Sequence, residues 1–121
     1  MLKPALVLLA AFAATQTFVA QASAQSAKFP DQCAALNVAL DDRIAGCTAI
    51  IEAKKETGRA LSIAYCNRGF ALTERRELDK AMADLNEAIK ADGTSACSYS
   101  NRGRVWQFRG CLLYTSDAAD E

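Results

Sequence analysis

The sequence predicts an all-α chain of antiparallel helix-turn-helix repeats, stacked side by side as an α-α superhelix. Three observations lead there. Tyr65-Cys66-Asn67-Arg68-Gly69 recurs 34 residues later as Tyr99-Ser100-Asn101-Arg102-Gly103, and a fixed period of that length is the mark of a solenoid array. Between the two copies apolar residues fall at helical spacing, with Leu78, Ala81, Met82, Leu85, Ala88 and Ile89 on one face. Asp92-Gly93-Thr94-Ser95 then interrupts the pattern just before the second copy. Gly93 suits the left-handed position after a helix end, and Thr94 or Ser95 the next N-cap.

The elements follow in order. Residues 1–24 read as an export signal outside the fold. Met1-Leu2-Lys3 gives a short positive start, residues 5–14 are an apolar run, and Ala22-Ser23-Ala24 supplies a small-x-small cleavage pattern. The run is about half of what spans a bilayer, so no stable membrane anchor is expected, and the mature chain is expected to be periplasmic or secreted. Residues 25–57 read as N-terminal capping helices or a degenerate repeat. A short helix is expected over 31–40 after Pro30, then a second over about 43–53, N-capped by Asp41 or Asp42. The link through 54–59 is expected to be about one helical turn longer than the later one. Residues 58–94 form a full repeat, with helices over 59–75 and 78–91. Residues 95–110 form the first helix of the next repeat, starting at Ala96 and reaching about Arg109.

Tyr65, Gly69, Leu72, Ala81, Leu85 and Ala88 in one unit, then Tyr99, Gly103 and Trp106 in the next, give a spacing that resembles the tetratricopeptide repeat over residues 62–110. Gly93 stands where that family has a proline, and Leu72 where it has a tyrosine. The resemblance implies that Gly69, Ala81 and Ala88 let paired helices approach at the short end of the usual ~8–10 Å. Tyr65, Leu72 and Leu85 would then fill the space beside them. It also implies that the first helices line a concave groove for a partner peptide or helix. The residues placed there are Asn67, Phe70 and Thr73, then Asn101, Arg104 and Gln107. After Gly110 the repeat pattern collapses. Residues 111–121 resemble translated sequencing-adapter DNA and are expected to be an artefact, which makes the sequence a truncated piece of a longer chain.

Lys+Arg and Asp+Glu balance at 14 each, which argues against nucleic acid as a partner. The absence of histidine removes the commonest general base and metal ligand. No phosphate-binding loop, nucleophile motif or metal spacing is present, so neither an enzyme nor a cofactor is expected. Glu52, Glu56, Glu74, Glu77, Asp84 and Glu87 are expected on exposed helix faces beside basic neighbours, solvated rather than catalytic. Export permits disulfides. Cys33 and Cys47 flank the capping turn and are expected to bridge. Cys66 and Cys97 lie on equivalent helices but three positions out of register, which favours packing thiols over a bridge. The expected function is a periplasmic protein-protein interaction scaffold that binds partner peptides or helices. Two alternatives are a regulatory repeat region of a longer envelope enzyme, and a structural array serving self-association.

Overall fold

The computed structural model describes residues 29–119, with side chains described for residues 31–111. The expected export signal lies outside the described residues. Five helices follow one another: α1 (Phe29–Ala34), α2 (Leu40–Ala53), α3 (Gly58–Glu74), α4 (Leu78–Ala91) and α5 (Ala96–Ala119). Among the described residues there is no strand, so the chain is all-α. Each helix packs on the next, most extensively α3 on α4, and α3 also touches α1 and α5. The odd-numbered helices thus form one row, while α2 and α4 flank α3 from the other side.

The α3–α4 pair shows why these residues fold this way. On α4, Leu78, Ala81, Leu85 and Ala88 are buried at the three- and four-residue spacing of one helix face. The facing stripe of α3 is small: Ser62, Cys66, Gly69 and Thr73. A Cβ at Gly69 would stand 2.9 Å from Cδ2 and Cγ of Leu85 and 3.4 Å from the Ala81 carbonyl oxygen, so glycine sets how closely the two helices approach. Cys66, Leu72 and Val105 join this core, with Ile44, Tyr65, Met82 and Phe108 packed at its edge. A second cluster, Cys33, Cys47 and Ala64 with Ile50 and Ile51, joins α1, α2 and α3.

Helix ends differ from expectation in several places. α1 stops at Ala34 rather than running to residue 40, and Arg43 Nη2 donates to the carbonyls of Ala35 and Leu36 beyond its end. α2 starts at Leu40 with no side-chain cap. Asp41 and Asp42 fall inside its first turn, where their charge complements the helix dipole. Gly93 does not adopt a left-handed conformation. Asp92 shapes that turn instead, its Oδ1 accepting the Thr94 N–H at 2.9 Å and the Thr94 hydroxyl at 2.6 Å. Ser95 caps α5 by accepting the Ser98 N–H at 3.4 Å. The links before α3 and before α5 have equal length, residues 54–57 and 92–95. The extra turn lies inside α3, where residues 58–64 precede Tyr65 while only 96–98 precede Tyr99. α5 also continues to Ala119, past the expected end near Arg109.

Two disulfides clip the stack. Cys33–Cys47 joins α1 to α2, as expected. Cys66 and Cys97 also bridge, joining α3 to α5, so the expectation of packing thiols is corrected. Residues three apart on a helix share a face, so Cys97 sits about one turn below the register-equivalent position and still meets Cys66. The two Cα atoms are 6.4 Å apart, within disulfide reach.

Candidate interaction face

The row of α3 and α5 carries two matched stripes. Ile63, Asn67, Phe70 and Glu74 run along α3, and Cys97, Asn101, Arg104 and Phe108 stand 34 residues later on α5. Both follow the spacing that places side chains on one helix face. Arg104 bridges the stripes. Its guanidinium lies 5.6 Å from the Phe70 ring centroid and 5.6 Å from that of Phe108, and its Nη2 pairs with Glu74 at 2.9 Å. From the outer sides, Arg43 stacks on Phe70 at 5.5 Å and Arg76 on Phe108 at 3.8 Å.

The residues expected to touch a partner do not all reach this face. Asn67 and Phe70 are half-buried on it, and Arg104 and Gln107 are exposed. Thr73 is fully buried against α4, its hydroxyl donating to the Gly69 carbonyl at 2.7 Å, which corrects its placement in the groove. Its position belongs to the small stripe facing Leu85, a signal legible in the Gly69–Thr73 spacing. Asn101 lies over the second disulfide, its Nδ2 donating to Cys66 Sγ at 3.3 Å and Cys97 Sγ at 3.5 Å. It braces the bridge. Ile63, one helical turn before Asn67, is 48 % exposed.

A second groove, of 430 Å³, opens between α2 and α4 over Arg68 and Leu72. Arg68 holds it together. Its Nε and Nη2 donate to the two oxygens of Asp84 at 2.7 and 2.8 Å, and its Nη1 to the Thr48 hydroxyl at 3.0 Å. The Asp84 hydrogen bonds outweigh desolvation and hold the guanidinium further on the protonated side than usual. Asp84 is therefore buried and paired, correcting the expectation that it lies on a solvated face. Glu77 and Glu87 do pair locally, with Lys80 at 2.6 Å and Lys90 at 2.5 Å. The Lys80 hydrogen bond holds Glu77 below its ordinary pKa, and the Glu87 hydrogen bond raises that of Lys90.

Among the described residues, no group of cysteine and carboxylate side chains converges to hold a metal ion, and no helix is long and apolar enough to cross a membrane. Comparison with protein-family models, curated proteins and solved structures returns no match.

Proposed function

We propose that this chain is an exported interaction module of the tetratricopeptide type, holding a partner peptide or helix along the α3–α5 face. The 34-residue correspondence of the two stripes carries the reading. On this reading Ile63, Asn67 and Arg104 share one surface, while the polar residues of the α2–α4 groove bind one another. The close contact at Gly69 supports the repeat assignment, since small residues there are what the resemblance requires. Two disulfides accord with an oxidising compartment, and residues 1–24 are proposed as the signal that delivers the chain to it.

Site-specific photocrosslinking tests the face. A photoreactive residue placed at Ile63 or Asn67 should give discrete adducts with an envelope protein in cells. The same residue at Ala83, on the exposed rim of the α2–α4 groove, should give none. Adducts from Ala83 alone would assign binding to the other groove and overturn this reading.

A further inference from the structure

We propose that the partner segment is acidic, and that it is recognised by an arginine–aromatic ladder at the turn end of the α3–α5 face. This rests on the interaction reading above and adds the chemistry of the occupant. The ladder runs Arg43, Phe70, Arg104, Phe108, Arg76, each guanidinium within 3.8–5.6 Å of a ring centroid. A guanidinium stacked on a ring is held in orientation by its flat face, and any edge N–H groups not already engaged can meet a carboxylate. Stacking also restricts the long side chain before a ligand arrives, which lowers the entropic cost of binding.

Charge selects the occupant. Glu74 pairs with Arg104. Among the described residues, Arg43 and Arg76 have no carboxylate partner, and they stand at the two ends of the ladder. Arg43 Nη2 donates to the Ala35 and Leu36 carbonyls and its Nε is buried, so Arg43 contributes charge to the ladder rather than a free edge. Two unpaired cations against one compensated carboxylate favour an acidic segment and repel a basic one.

Arg76 supplies an independent observation. α3 ends in a Schellman turn, with the Arg76 N–H on the Thr73 carbonyl at 3.0 Å and the Glu77 N–H on the Leu72 carbonyl at 2.9 Å. Arg76 takes the left-handed position, φ 64°, where glycine is preferred. A residue that disfavours this conformation sits there with its guanidinium 3.8 Å over Phe108. Backbone cost kept at such a position points to a use for the side chain.

The test uses the full chain with both disulfides formed and three fluorescein-labelled peptides: alternating glutamate and alanine, the same with glutamine, and the same with lysine. The glutamate peptide should bind by anisotropy, more weakly as salt rises, and the other two should not bind at the same concentrations. Arg76→Gly should weaken it about tenfold while the urea midpoint stays level or rises, which separates lost binding from lost folding. Arg43→Gln should weaken it independently. Equal binding of the glutamine peptide, or indifference to Arg76→Gly, overturns the ladder. So does binding to anionic phosphatidylglycerol vesicles in place of the peptide. If the glutamate peptide fails while adducts persist at Ile63 and Asn67, the ladder falls and the interaction face stands. If the adducts are absent too, both fall.

Discussion

Arg68 ties three helices through one guanidinium, and the consequence of cutting it depends on which partner is removed. Its side chain is 20 % exposed and that of Asp84 9 %, so the pair is more buried than a surface bridge. Asp84→Asn leaves a partly buried cation without its carboxylate and is expected to cost about 2–3 kcal/mol, below the range for fully buried pairs. Replacing both partners, as Arg68→Met with Asp84→Leu, should recover most of that loss. Urea denaturation of the two single variants and the double supplies the cycle; a coupling below about 0.5 kcal/mol would place the pair with ordinary surface bridges. Asp84 stands three residues after Ala81 and four before Ala88, on the core stripe itself, so its burial was legible from spacing alone. Its partner was not, because contacts across helices leave no local pattern. Asp92 shows a smaller effect of the same kind. Hydrogen bonds from the Thr94 hydroxyl and then its N–H hold the carboxyl below its ordinary pKa. A depressed folded pKa means the stabilisation is present above the ordinary carboxylate value and fades as pH falls through the lowered one. Thr94→Ala should move the Asp92 titration upward towards the ordinary range, followed by the carboxyl carbon shift in NMR; an unmoved titration would show that the hydroxyl is not the main cause.

At the scale of elements, the α3–α4 hairpin has a close fit on which two effects of opposite sign act. Gly69→Ala gains about 1 kcal/mol of helix propensity. Against that, the added methyl meets Leu85, itself fully buried, at 2.9 Å. Leu85 has no free space to take up, so overpacking of about 1–3 kcal/mol should win. The variant is expected to lower the urea midpoint, and a raised midpoint would mean that the helices separate without cost. Helices α3 and α4 were legible because their apolar spacing is long and regular, and α4 matches its expected limits of 78–91. The ends of α1 and α2 were not. α1 ends where Arg43, eight residues from Ala35 in sequence, takes up the carbonyls beyond it, and α2 begins without the capping side chain that its two aspartates advertise. The first turn of α3 was legible as helix from Arg59, one residue after its observed start at Gly58. Gly58 in a left-handed conformation reads as a link.

For the whole molecule, the disulfides decide which parts hold together when hydrophobic burial is thin. Cys33–Cys47 closes 14 residues and Cys66–Cys97 closes 31. The chain-entropy model assigns them about 3 and about 3.7 kcal/mol, so the second should matter more for global stability. The first should matter more locally. α1 has six residues, far below the length at which a helix holds itself, and Cys33 is its buried anchor. Cys33→Ser with Cys47→Ser should therefore release amide protection in α1 and lower the global midpoint moderately. Cys66→Ser with Cys97→Ser should lower the midpoint more and loosen α5 against α3, because the bridge and the two Asn101 hydrogen bonds over it are lost together. The first pairing follows from two cysteines flanking a short turn. The second depends on how far α5 is displaced along α3, a quantity set by packing of the whole row rather than by any local run of residues. Urea titrations and hydrogen exchange on the two paired variants separate the effects. If both lower the midpoint equally and α1 stays protected in each, the bridges act on the unfolded chain alone and anchor no particular helix.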